Sequence, residues 1–264
     1  MDGQISLMEL LQQGHPSFPS SPPDQPEAIT NNPNFSPSEV IPIPPGVWAQ
    51  FNLPTILQEY QALLTSTMVA PDPFPGSPLQ PVTTKGLIES KFQILFCDRV
   101  RRGLRRTFEQ LRSTNQYTGV TNIAIGHRDI ARAVLYFRPD VAYYVPGQPS
   151  GSGPNRAPGI IMPSWVWNSA MATGSARQQM DYRYILSRLN YYMRLHKAQY
   201  GFLATEEELF AARRLDDEGS LELSPSIYWE TEGSTESPRL TLMLALWYLG
   251  MLASQEQGPG SGRE

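Results

Sequence analysis

The stretch Arg138–Trp165, RPDVAYYVPGQPSGSGPNRAPGIIMPSW, decides how the chain is read. It runs strand, polar Gly/Pro/Ser loop, strand. Pro139 stands at the head of the first run, where a residue lacking an N–H marks a strand start, an edge or a bulge. Asp140 follows at once. In the second run, GIIMPSWVW (Gly159–Trp167), side chains alternate between the two faces, so Ile160 and Met162 share one face and Trp165 pairs with Trp167. One acid at the head of a strand, beside a neighbour strand that is wholly apolar, is the pattern to explain.

Working outward, Lys85–Arg112 is the longest helical pattern. Val100, Leu104, Phe108 and Leu111 form one stripe, and Ile88, Phe92, Leu95 and Phe96 extend it with some drift in phase. VTNIAIG, VLYFRPDVAYYV and GIIMPSWVW follow as strands. Arg177–Lys197 reads as a helix, then YGFLAT, LFAARRL and SLELSPSIYW as strands around a DDEG turn, and Arg239–Ser254 as a closing apolar helix. The order predicts an α/β (α+β) domain over 83–255, with a mixed central sheet flanked by helices. The large aromatic residues Trp165, Trp167, Trp229, Trp247, Tyr143, Tyr144, Tyr191 and Tyr192 fall at core spacing.

Prolines crowd the front. Residues 1–82 read as a disordered Pro/Ser-rich arm with short helices at about 4–13 and 54–69, and 256–264 as a disordered tail. The segments SFPSSPP (Ser17–Pro23) and PIPPG (Pro42–Gly46) could dock to a protein partner as polyproline. The 264 residues carry a net charge of −4, so the whole chain is no polycation. A single cysteine, Cys97, excludes an internal disulfide and fits a reducing compartment. Three histidines with no Cys/His pairing exclude a structural zinc site. The start, MDGQISLMELLQQGH, is not a secretory signal, and Leu240–Ala253 is too short to span a bilayer. These features predict an intracellular, unsecreted protein, nuclear or cytoplasmic.

Divalent-metal phosphodiester hydrolysis needs two acidic oxygens on a hard cation, and a lysine to orient water and offset phosphate charge. The motifs RPD…RAPGxxxPSWxW, LSxxNYYM, QYGFLATEEELFAARRLD and LTLMLALWYLGMLA, spanning about Lys85 to Ser254, resemble a set of fungal PD-(D/E)xK proteins of unassigned role. The resemblance implies a restriction-endonuclease-like fold and a second strand reading Gly-Asp-hydrophobic-Lys. Here Pro139-Asp140 keep the first motif, while the acid is replaced by Ile160 and the lysine by Met162. A helix position that is often Gln in those proteins aligns with Arg188. Asp140 is thus read as vestigial. No metal or other cofactor is expected. Mg²⁺ enters only if a relocated site gathers Glu89, Asp140 and either Lys197 or Arg188.

The second constellation is basic. Arg99, Arg101, Arg102, Arg105 and Arg106 fall opposite the apolar stripe of their helix, where guanidinium groups suit phosphate oxygens. Acidic neighbours at helical spacing, Asp98 and Glu109, also suit local ion pairs. The sequence therefore reads as a nuclease-like pseudoenzyme that binds nucleic acid or a protein partner without cleavage. Its alternatives are a metal-dependent nuclease with a relocated site and a protein-interaction module.

Overall fold

The computed structural model describes residues 3–24, 45–76, 78–116, 118–134, 138–216 and 219–255. The chain opens with β1 (Ile5–Ser6), α1 (Leu7–Leu11), β2 (Gly46–Val47), α2 (Leu53–Ser66) and β3 (Met68–Val69). Then come α3 (Lys85–Phe92), a π-helical turn (Gln93–Cys97), α4 (Asp98–Ser113), β4 (Ala124–His127), β5 (Val141–Tyr144) and β6 (Gly159–Ile161). The remainder is α5 (Ala176–His196), β7 (Tyr200–Ala204), β8 (Glu208–Arg214), β9 (Leu221–Leu223), β10 (Ile227–Tyr228) and α6 (Leu242–Gln255). The expected alternation from Lys85 onward is present, with β10 added where SLELSPSIYW breaks at Pro225.

The sheet is mixed, in the order β2-β9-β8-β7-β6-β5-β4, with β10 also on β8. β6 and β7 run parallel, joined by α5, and β2 lies parallel to β9. Two apolar clusters sandwich it. One side gathers Phe92, Phe96, Leu104, Phe108, Tyr143, Phe202 and the apolar residues of α6. The other gathers Ile160, Met162, Trp167, Leu186, Leu189 and Leu203 under α5. Strand alternation accounts for the split: Ile161 belongs to the first cluster and its neighbours to the second. Gly159 is required at the crossing, because a Cβ there would overlap the Phe202 ring.

Two expectations are corrected. The second apolar run does not continue as a strand to Trp167. It ends at Ile161 and turns over Ser164–Val166, which separates Trp165 from Trp167. Trp167 stacks on Tyr182 at 5.2 Å, whereas Trp165 packs on the opposite cluster. The physical reason is Pro163, which has no N–H for the ladder.

The larger correction concerns the arm. Residues 25–44 and the tail 256–264 lie outside the described residues, as does the 135–137 part of the VLYF run. The described flanks of the arm are built into the domain. Leu7, Leu10, Leu11, Phe18, Trp48, Phe51, Ile56 and Leu64 are all buried in the first cluster. β1 pairs β3, Trp48 stacks on Tyr200 at 5.6 Å, and the Gln12 amide donates to the Arg239 carbonyl. His15 sits among Phe18, Phe74, Phe96 and Trp229. Prolines broke the periodicity that would have shown these residues as core, yet an extended chain can bury single apolar anchors without any helix. Of the expected docking segments, SFPSSPP is occupied: Phe18 is buried and the Ser20 hydroxyl donates to Glu206 Oε1 at 2.6 Å. Most of PIPPG lies outside the described residues.

Candidate functional site

Asp140 lies at the head of β5 with its side chain only 3 % exposed. The peptide N–H of Ile161 donates to Asp140 Oδ2 at 2.9 Å, so the acid is clamped to the backbone of the next strand. The Lys85 ammonium reaches both of its oxygens, each at 2.9 Å. The same ammonium lies 3.1 Å from Glu89 Oε1, one turn further along α3. Thr84 caps that helix through the Leu87 N–H and sets Lys85 in its first turn. Arg128 stands further off, 3.8 Å from Asp140 and 3.9 Å from Glu89.

Burial, then the neighbouring Asp140 charge, push the Glu89 carboxyl above its ordinary range, against the pull of Lys85. Arg188 approaches from α5. Burial works against its charge, but the Tyr192 hydroxyl, 3.0 Å from its Nε, and the Asp140 carboxylate outweigh that and hold its pKa above the usual value. The structure brings Glu89 and Asp140 together on Lys85, and Arg188 is near enough for the Asp140 charge to act on it. The lysine it supplies is Lys85, while Lys197 sits exposed in the left-handed cap of α5. Lys85 and Arg128 were missed. The Lys85–Glu89 spacing of four on a helix was the available signal for the first.

Ile160 and Met162 are buried under α5 and offer no oxygen to the site. A divalent ion, which the nuclease resemblance implies, fits this donor set poorly. Magnesium keeps several waters but needs one or two carboxylates open to it. Here an ammonium stands between both carboxylates, and one Asp140 oxygen already accepts from the backbone. Among the described residues no group of three His, Cys, Asp or Glu side chains gathers to hold a metal.

The arginine face divides. Arg99 is not on the solvent side: it is 5 % exposed, stacks on Phe74 at 4.4 Å, and donates to Leu95, Pro73 and Asp72. This corrects its expected role. The π-turn just before it widens the helix and rotates Arg99 inward, where its guanidinium supplies donors to the carbonyls of Ile94 and Leu95. Arg101 pairs with Asp98, and Arg102 with Asp72. Arg106 reaches Glu109 and the Met68 carbonyl, and Arg105, 68 % exposed, lies only loosely against Glu109 at 3.8 Å. The four guanidinium groups of the face share Asp98, Asp72 and Glu109, and Asp72 is also taken by the buried Arg99, so the face keeps a positive surplus. Three concavities of about 200, 280 and 610 Å³ open along it, and Arg102 lines all three.

No family model, curated protein or solved structure matches the chain. No helix among the described residues is long and apolar enough to cross a membrane.

Proposed function

We propose that the chain is a nuclease-like domain that holds nucleic acid without cutting it. One observation carries the reading: Asp140 is already bonded to Lys85 and to the Ile161 backbone, and the two positions beside it, Ile160 and Met162, are apolar. An acid so engaged, with no second strand acid, cannot assemble the two-oxygen grip that metal-assisted hydrolysis uses. The half-exposed row Arg101, Arg102, Arg105 and Arg106 supplies the binding surface, since sequence-independent affinity comes from guanidinium contacts to phosphate. An intracellular place, nuclear or cytoplasmic, goes with this reading.

Two other readings each have an observation behind them. The convergence of Glu89, Asp140 and Lys85 favours a divalent-metal nuclease with a relocated site. The pairing of Arg101, Arg102 and Arg106 with carboxylates favours a protein-interaction module. A paired assay separates them. Plasmid and single-stranded substrates are incubated with Mg²⁺ or Mn²⁺, and binding is followed at low and moderate salt. The proposal expects salt-sensitive binding, weakened by Arg102→Ala with Arg105→Ala, and no cleavage. Cleavage abolished by Asp140→Ala establishes the relocated nuclease instead, and neither binding nor cleavage leaves the protein-interaction module.

A further inference from the structure

The 280 Å³ concavity lies where the arginines of α4 meet the edge of the sheet, and is lined by Arg101, Arg102, Arg105, Asn122, Tyr144 and Pro146 among others. Its size falls just below the roughly 300–1,000 Å³ of pockets that enclose a whole small ligand. We propose that it is a nucleotide-binding site, taking one unit of a single-stranded nucleic acid with the phosphate on the guanidinium groups and the base on the Tyr144 ring. This rests on the nucleic-acid reading above and adds a place and a strandedness to it.

Four observations carry it. β4 is the last strand of the sheet, so side chains of α4 can reach past it. The register pairs Ala124 with Tyr144 and Gly126 with Ala142, which sets Tyr144 on the same face as Gly126. At Gly126 a Cβ would stand 2.8 Å from the Ile130 side chain, 3.3 Å from the Tyr144 ring and 3.5 Å from an Arg101 terminal nitrogen, so the missing side chain makes room for all three to gather there. Tyr143 is spent in the core, its hydroxyl donating to the Leu246 carbonyl at 2.7 Å, while Tyr144 beside it is only partly buried.

The chemistry of the lining selects the ligand. Among the described residues the lining holds no carboxylate, although Asp98 and Asp72 brace Arg101 and Arg102 from outside it. Guanidinium forks suit phosphate oxygens, an aromatic face suits a base, and the Asn122 amide can donate to and accept from a base edge. An acidic peptide would use the cations but leave the ring idle. A duplex would keep its bases stacked on each other and away from Tyr144. The concavity stands at the opposite end of β5 from Asp140, four residues away and so about 13 Å along the strand. It is therefore separate from the vestigial acid.

The test is fluorescence anisotropy on the full chain with a labelled single-stranded 12-mer, alongside a duplex of the same sequence. Tyr144→Ala is expected to weaken single-strand binding roughly tenfold, the loss of one base stack, and Tyr144→Phe to restore it. Adenosine monophosphate should displace the 12-mer at lower concentration than inorganic phosphate or polyglutamate does. Equal binding by Tyr144→Ala, or phosphate competing as well as the nucleotide, overturns the pocket while leaving nucleic-acid binding through the arginine row intact. No binding of either oligonucleotide overturns both. A melting curve for each variant separates loss of binding from loss of fold.

Discussion

Lys85 is where the residue scale decides most. Its ammonium bridges an acid that is nearly sealed from water and a second whose carboxyl burial pushes above its ordinary range. Removing one partner of a buried pair costs about 3–5 kcal/mol. Lys85 is 29 % exposed, and Asp140 keeps its bond to Ile161, so Lys85→Met is expected to destabilise by only about 2 kcal/mol, read from urea unfolding. The same variant empties the position between the carboxylates. Mn²⁺ is then expected to raise its melting temperature while leaving that of the parent protein unchanged. An equal rise in the parent would show that the ammonium does not bar a metal. His196 supports a second prediction. Burial, then the Arg132 charge, lower its pKa to about 4, and its Nδ1 accepts from the Asn155 N–H, which needs a neutral ring. Between that value and the ordinary 6.5 the unfolded chain takes up a proton that the folded chain refuses. Stability is therefore fully present above about pH 6.5 and falls as pH drops toward 4, by up to about 3 kcal/mol from this residue. Burial lowers the pKa of His15 as well and adds to the loss in the same direction. Unfolding measured at pH 7.5 and pH 5 should show the drop, and His196→Gln should shrink it.

Among the elements, the continuous run from Lys85 to Ser113 does two jobs because the π-turn lies between them. α3 aims Lys85 and Glu89 at the sheet, and α4 turns its arginines outward. The apolar stripes made both halves legible in the sequence, and the drift in phase between Ile88/Phe92 and Val100/Leu104 was the trace of the wide turn. What the sequence pattern could not separate was Arg99 from Arg101 and Arg102: periodicity placed all three on one arc, and only the carbonyls of Ile94 and Leu95 and the ring of Phe74 explain why one of them is inside. The difference is measurable. Arg99→Met removes a donor from four backbone carbonyls and leaves Asp72 with Arg102 alone, and is expected to cost about 2–4 kcal/mol of stability. Arg105→Ala, on an exposed side chain loosely set against Glu109, should stay within about 0.5 kcal/mol of the parent and act on binding alone. Paired urea curves decide it. A large loss from Arg105→Ala, or none from Arg99→Met, would reverse the two roles.

For the molecule as a whole, the strand order after Lys85 was legible because each segment carries its own period and its own turn residues. The front of the chain was not, because its contacts are single anchors spaced by prolines: Leu7 and Leu11 near Gly103, Phe18 and His15 against Trp229, Trp48 on Tyr200. Composition measures how much apolar surface a segment could bury within itself and is blind to what a preformed core offers it. Site geometry was hidden for the same reason, since Lys85 meets Asp140 across 55 residues. The consequence concerns where the folding unit begins. A fragment covering 83–255 would keep the sheet yet lose Leu7, Leu10, Leu11, Phe18, Trp48, Phe51, Ile56 and Leu64 from the cluster that α4 and α6 share. Each fully buried side chain of this kind contributes about 1.5–3 kcal/mol. Eight of them come to about 12–24 kcal/mol, comparable to or above the roughly 5–15 kcal/mol by which whole domains are stable. The fragment is spared the ordering entropy of the missing segments, but it leaves the apolar faces of α4, α6 and Trp229 open to water. It should therefore retain helical far-ultraviolet dichroism, lose its near-ultraviolet signal and bind a hydrophobic dye. Adding back 1–82 in trans should restore part of the near-ultraviolet signal if the anchors alone are what it lacks. A fragment that melts cooperatively near the temperature of the full chain would mean that the domain begins at Thr83 after all and that the anchored front is an accessory.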